Sequence, residues 1–564
     1  GLAEDVKYYG EWMREKAWER IGHLYPQVDL PSEYGGGKAT VIAWIWARTV
    51  PSPDPAFSSV QVPIASSFLL NAKKGREAWV EPIVDRQRKS ITYRIRYQGT
   101  KEEIARSKNG TKAGRGANFF CIISKTAITS DYIKRMGREG KMSQTLIAVV
   151  AAGKHSRTYI AASKAHEEVA LSAKPAWEPD TKLPNDPRNF WTVDYGLTTF
   201  GDLFTNRQLV ALNTYTNLVQ EARDQVESDA ISAGLNANKT FLRNGGEGGA
   251  AYADAVSIYL ALTVSKLTDL ANALCNWEPT AQCPKHMFGR HAIPMVWDFA
   301  EGNLFSSSSG SYKVVLDGIC KAFQKNTFDY PGEHAEIIQC NAATFGETNQ
   351  KYVISTDPPY YDNIGYADLA DFFYLWLRKS LQNISPEIFS LLAVPKSEEL
   401  VASPYRHGGK SEAEFFFLDG MRAAIIRMVD KDGGFGPAAI FYAFKQSEIG
   451  QEGVSSTGWA TFLQAVIEAG YSVLGTWPMR TENASRMIAS GTNALANSVV
   501  LVCRKKEVTA ETITRAEFIR ALKRELPAAI AELQAANVSP ADMPQSAIGP
   551  GMGVFSRYKA VLEA

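Results

Sequence analysis

Ser355-Thr356-Asp357-Pro358-Pro359-Tyr360, preceded by the apolar run Tyr352-Val353-Ile354, decides how the second half of this 564-residue chain is read. Tyr352–Ser355 has the composition of a short buried strand. The two prolines stop it, because neither can donate to a ladder and both fix φ at about −65°. Asp357 therefore stands where a strand opens into a loop. Outward from this point, apolar and amphipathic stretches alternate. Ala335–Cys340 is a candidate strand upstream. Downstream come a helix from about Ala367 to Leu381, a strand at Ala438–Phe444 and a helix at Trp459–Ala469, then strands at Ser472–Trp477 and Ser498–Cys503. Such alternation argues a parallel sheet with crossover helices. The last two strands lack a crossover of comparable length and are expected to pair antiparallel. The expected fold class is α/β, a doubly wound, Rossmann-like sheet with a reversed edge hairpin. Ligands should then lie beyond the carboxyl ends of the strands.

The remainder of the chain divides by pattern. Residues 1–37 carry a helical spacing (Val6, Tyr9, Trp12, Met13, Ala17, Trp18) that ends at the prolines and glycines around 31–37. Residues 38–165 read as a β-rich region, with strands at Ala39–Ala47, Ile91–Tyr97 and Thr145–Ala152. Residues 166–310 are mostly helical, Arg207–Ser232 and Ala250–Trp277 being the long amphipathic candidates. Residues 311–506 hold the alternating core, and 507–564 a helical extension.

Composition narrows the class. Hydrophobic residues make up 45% and charged ones 21%, an ordinary globular balance. No apolar run approaches the roughly 20 residues that span a bilayer, and the charged opening from Glu4 onward is no signal peptide. The six cysteines show no tight pairing pattern, which suits a reducing cytoplasm rather than a disulfide framework. Net charge is +1, yet Lys73–Lys141 holds 18 Lys and Arg against 7 Asp and Glu, a local +11. Trp79, Tyr93, Tyr97, Phe119 and Phe120 are interleaved with those charges. Arg86, Arg88 and Lys89 are the candidate DNA-binding residues of the stretch. Either the stretch tracks phosphates, or it is a solvated pair of hairpins.

Asp357-Pro358-Pro359-Tyr360 carries the chemistry. An exocyclic amine becomes nucleophilic when its lone pair is freed from ring conjugation. A carboxylate (Asp357) and a backbone carbonyl (Pro358) can each accept one N–H and favour that geometry. Pro358 and Pro359 bring carbonyls without N–H groups, and Tyr360 offers a flat face for a base turned out of a duplex. The bland alternative is a Pro-Pro turn after a strand, with Asp357 as a turn residue.

The stretch from Ser355 to Asn363, continued by Ile364-Gly365-Tyr366-Ala367-Asp368-Leu369-Ala370-Asp371-Phe372-Phe373, resembles the amino-methyltransferases of DNA. More closely it is similar to the large adenine-specific DNA methylases of the DUF1156 type, which carry an internal zinc ribbon. Tyr195–Phe204, Met295–Glu301, Phe441–Lys445, Asn497–Lys505 and Ala547–Met552 extend the likeness along the chain. The resemblance implies S-adenosyl-L-methionine as donor, double-stranded DNA as partner and N6-methyladenine as product, in a restriction-modification or phage-defence setting. It implies catalytic roles for Asp357, Pro358, Pro359 and Tyr360, with Asn341, Ala342 and Asp357 toward the donor.

Two departures qualify it. The family's glycine-rich donor loop after the first strand is absent, since Gly245-Gly246-Glu247-Gly248-Gly249 lies between helices. A missing N-terminal segment or a separate polypeptide is therefore expected to carry it. The family's zinc ligands fall on Ser52, Phe57, Cys121 and Ser124, of which only Cys121 can bind zinc, so a degenerate ribbon without metal is expected. Asp298 and Glu301 match the family but are expected to be structural. Two rival readings stand beside the main one: a target-recognition or DNA-binding subunit that no longer methylates, and an N4-cytosine methyltransferase.

Overall fold

Val41–Pro51 is an unbroken run of β-branched, aromatic and small residues in which Arg48 alone is charged, the composition of a strand buried on both faces. In the computed structural model it is such a strand (β1), buried at every position from Val41 to Val50. Residues 1–564 are described except 155, 327–334, 347–348, 363, 443–456, 481–496, 536–542 and 564. They are mixed α/β and form two units: Gly1–Pro331 with Ala367–Val394, and Gly332–Tyr366 with Pro395–Ala564.

In the first unit β1 pairs with Ser143–Ala152 (β2) on one side and with Asp298–Gly302 (β3) and Gln61–Ile64 on the other, all antiparallel. Arg157–Ala161 adds a strand outside β2. A separate meander joins Leu69–Asn71, Ala78–Asp85 and Ser90–Tyr97. The helices Leu2–Ile21 (α1), Asn206–Ser232 (α2) and Gly249–Thr268 (α3) pack together. Thr205 opens α2 with a reciprocal capping box to Gln208. The helix expected to run to Trp277 stops at Thr268. Asn272 donates to the Thr268 carbonyl (2.8 Å) and accepts from Leu274 N (2.9 Å), so its side chain replaces the helical ladder. The region expected to be mostly helical also contains β3.

One buried pair ties this unit together. Arg207 on α2 and Glu301 on β3 are 0% and 1% exposed and meet through two bonds of 2.9 Å each. The remaining valences are filled: Arg207 donates to the Leu24 carbonyl (3.0 Å), while Trp46 Nε1 (2.8 Å) and Thr205 Oγ1 (3.0 Å) donate to Glu301. The guanidinium lies 3.8 Å from the Trp44 ring centroid. Glu301 is thus structural, in keeping with the expectation.

In the second unit Ser355–Thr356 (β4) runs parallel to Ala438–Tyr442 (β5), with Ser355 opposite Ala439. Asn497–Lys505 (β7) is antiparallel to β5 and to Tyr471–Arg480 (β6), giving the order β4-β5-β7-β6. Three strands therefore point one way, and the last strand of this sheet in chain order is inserted between two of them in reverse. The antiparallel pairing of the last two strands was expected; the insertion was not specified. Lys410–Lys431 and Thr457–Glu468 supply helices to the core around Phe417, Ile440, Phe462 and Leu501. The end of the expected strand at 443–444 lies outside the described residues.

Three expectations are corrected. The buried strand expected at Tyr352–Ser355 is only Ser355–Thr356, and Val353 and Ser355 are exposed. Ala335–Cys340 is exposed and not a strand, with Ile337 96% exposed. A strand there needs a ladder partner, and among the described residues β4 pairs with β5 alone. The apolar helix, observed as Tyr366–Leu381, belongs from Ala367 onward to the first unit rather than to the core of 311–506. Its Phe372 stacks on Phe204 (5.6 Å) and its Trp376 meets Trp177 edge-on (5.3 Å).

Glu301→Gln leaves the buried Arg207 charge without its counter-ion, so it should destabilise the first unit by about 3–5 kcal/mol. Replacing both partners by apolar residues should recover much of that loss. Denaturant unfolding followed by tryptophan fluorescence measures both; a Glu301→Gln variant within about 0.5 kcal/mol of the parent would contradict the role given to the pair.

Candidate functional site

Asp357 follows β4 directly and is exposed, whereas Pro358 is buried and Tyr360 half-buried. The loop is held by its aromatic residues. Tyr360 packs its ring 5.3 Å from Tyr442 at the end of β5, and Tyr442 stacks on Phe462 at 4.6 Å. Tyr361 has φ of 54°, in the left-handed region that bulky side chains avoid. Three contacts hold it there. Its N–H donates to the Pro359 carbonyl (3.2 Å), its carbonyl accepts from Ala402 N (3.0 Å), and its hydroxyl donates to Glu414 Oε1 (2.7 Å). The Tyr361 ring also meets Phe417 edge-on at 5.3 Å.

The polar groups divide into occupied and open. Tyr360 donates its hydroxyl to Asp357 Oδ1. Burial first, and then this carboxylate, push the Tyr360 phenol well above its ordinary value. Burial and the same carboxylate also raise Tyr366, helped by Glu399. The Pro359 carbonyl is taken by Tyr361. Among the described residues nothing donates to Asp357 Oδ2 or to the Pro358 carbonyl. Two acceptors on adjacent residues thus remain open at the end of a strand, beside a tyrosine.

The other expected site residues have contacts of their own. Asn341 Oδ1 accepts from Ala343 N (2.9 Å) and its carbonyl from Thr344 N (3.0 Å), a self-contained turn, and Ala342 is exposed. Arg86, Arg88 and Lys89 occupy the exposed tip between the strands Ala78–Asp85 and Ser90–Tyr97. Arg88 lies 3.8 Å from Asp85, and Lys89 donates to the Ala56 carbonyl (2.9 Å). Four more cations of the stretch are paired in place: Arg94 with Glu81, Arg96 with Glu103, and Lys134 and Arg138 with Asp194. Asp298 Oδ1 accepts from Ser66 N, and burial pushes its carboxyl up to about 6.

The residues aligned with zinc ligands do converge. Ser52 Oγ lies 3.3 Å from Cys121 Sγ, and Phe57 packs against the same cluster. Burial pushes the Cys121 thiol up, but hydrogen bonds from Ser124, Ser52 and the Ser124 and Ile123 backbone outweigh it and leave the thiol below its ordinary value. Among the described residues no group of three or more His, Cys, Asp and Glu could hold a metal ion. No sequence signal beyond the ribbon spacing could have placed Ser52 on Cys121, since 69 residues separate them.

Among the described residues, no helix is long and apolar enough to cross a membrane. No protein-family model, no curated protein and no solved structure matches the chain.

If Ser52, Phe57, Cys121 and Ser124 occupy the corners of a former tetrahedral site, the triple variant Ser52→Cys/Phe57→Cys/Ser124→Cys should retain about one zinc ion per chain, because four thiolates then suffice. Metal analysis after gel filtration reads the result. A triple variant that folds yet holds no zinc would mean that the four positions do not share a ligand geometry.

Proposed function

We propose that this chain is the catalytic part of an S-adenosyl-L-methionine-dependent DNA methyltransferase that modifies the N6 amine of adenine. One observation carries the reading: Asp357 Oδ2 and the Pro358 carbonyl stand open on adjacent residues just past β4. An exocyclic amine presents two N–H bonds, and two acceptors that take both leave the lone pair on nitrogen. The order β4-β5-β7-β6, with one reversed strand, agrees with the Rossmann-like methyltransferase sheet that the resemblance implies. In the resting loop Tyr360 bonds Asp357. A flipped adenine would replace that hydroxyl with its amine and stack on the released ring.

S-adenosyl-L-methionine supplies the methyl group, but the residues present do not fit it. Asn341 is committed to its own turn, Ala342 is exposed, and no described strand flanks the free side of β4. The reading therefore includes a further segment or a separate polypeptide that brings the glycine loop. This same observation favours the second reading, a DNA-binding or target-recognition subunit that does not methylate. An N4-cytosine enzyme would use the same two acceptors and differs in its product.

The experiment uses the native assembly purified through this chain, with methyl-labelled S-adenosyl-L-methionine and duplex DNA. Asp357→Ala removes an acceptor preorganised for the transition state, worth about 2.7–4 kcal/mol, so transfer should fall roughly 10²–10³-fold while DNA affinity holds. Transfer unaffected by Asp357→Ala would remove Asp357 from the chemistry. An assembly that binds DNA and transfers no label would support the subunit reading.

Phosphate contact by the hairpin tip has its own signature. Each neutralised phosphate contributes about 0.9 to the slope of log K against log salt. Replacing Arg86, Arg88 and Lys89 together by Gln should flatten the slope by roughly one to three units and weaken all sequences alike. An unchanged slope would make the tip a solvated face.

A further inference from the structure

We infer that the first unit holds a nucleotide-binding pocket of its own, independent of the Asp357 loop. The cavity measures about 690 Å³ and is lined from separate segments by Tyr34, Lys73, Arg76, Tyr97, Arg157 and Gln282. That volume is in the range that takes a drug-sized ligand, far more than a bare phosphate fills.

Its charge is one-sided. Glu77 is the single acidic residue among those lining it, against Lys73, Arg76 and Arg157. Several nearby cations of the +11 stretch are neutralised in place, but among the described residues none of these three has a carboxylate partner. Arg157 is aimed by a bond to the Ala281 carbonyl (3.0 Å). Unpaired cations at the wall of a cavity are the arrangement that a phosphate satisfies.

The wall also carries a reading group. Gln282 is only 7% exposed and holds φ of 56°, a strained backbone for a residue other than glycine. Tyr159 donates to Gln282 Oε1 (2.9 Å), which leaves the amide Nε2 as a donor that no described residue takes up. On the pocket wall, a donor whose amide is oriented by Tyr159 is available to an acceptor on a ligand. Tyr34 lies 5.6 Å from Tyr97, and Tyr97 is locked by exchange of two hydrogen bonds with Tyr159 (2.8 and 2.9 Å). The site thus combines an aromatic wall, one amide donor and three cations. A ring with acceptor atoms joined to a phosphate fits all three.

Shared chemistry leaves two sources, a free nucleotide or one residue of a DNA strand. Calorimetry separates them, with AMP, ATP, inorganic phosphate and a single-stranded deoxyhexanucleotide titrated into the intact chain. One equivalent of nucleotide should bind, more tightly than inorganic phosphate. Lys73→Ala/Arg76→Ala, on an exposed turn, should weaken it at least tenfold, and Tyr34→Leu should weaken it without changing the salt dependence. A hexanucleotide that binds and competes with AMP identifies a strand as the source; nucleotide binding without it identifies the free ligand. Lys73→Ala/Arg76→Ala touches this pocket alone and leaves the Asp357 loop intact, so failure here and failure at the Asp357 loop are read separately. The inference is overturned if no probe binds at millimolar concentration, or if a folded Lys73→Ala/Arg76→Ala variant binds nucleotide like the parent.

Discussion

The Arg207–Glu301 pair is the constraint on which the first unit depends. Taking both charges out of water costs several kcal/mol per ion, and only complete satisfaction of their hydrogen bonds offsets it. That completeness demands four segments at once. The Gly22–Leu24 turn after α1 brings the Leu24 carbonyl, β1 brings Trp44 and Trp46, α2 brings Arg207 and its cap Thr205, and β3 brings Glu301. None can shift without orphaning a buried polar group. The neighbouring His166 follows the same logic: it accepts from Trp44 Nε1 (2.9 Å), while burial and then Arg207 hold its pKa below the ordinary value.

The second unit is organised around the backbone pairing of its sheet. Its β4 is two residues long and stops at prolines, so it places Asp357 at the strand's end without continuing the ladder past it. A strained Tyr361, tied to Glu414, Ala402 and Pro359, then turns the chain. Strain of this kind is kept where surrounding contacts over-determine it. Here it leaves the Pro358 carbonyl open while closing that of Pro359.

Local pattern made much of this legible. Periodicity located α2 within a residue of its start, and the apolar runs gave β2, β6 and β7 with ends displaced by up to three residues, and the start of β5. The Asp357 loop was placed by the prolines alone. What stayed hidden depends on distance in sequence. An acid on a strand and a base 94 residues away give no local sign that they will pair. The pocket lined from Tyr34 to Gln282 is assembled by the fold and has no motif. Ala335–Cys340 failed for the opposite reason: its composition suits a strand, but β4 offers it no partner among the described residues. Charge counting along the +11 stretch leaves out partners beyond it, such as Asp194, which pairs with Lys134 and Arg138.

The account stands on the claim that the open acceptors of Asp357 and Pro358 serve an adenine amine. Nucleoside analysis by mass spectrometry tests it most directly, on DNA from cells that make the native assembly and from cells that make it with Asp357→Asn. The account predicts N6-methyldeoxyadenosine in the first and its loss in the second. N6-methyldeoxyadenosine at equal levels in both, or N4-methyldeoxycytidine in its place, would contradict it.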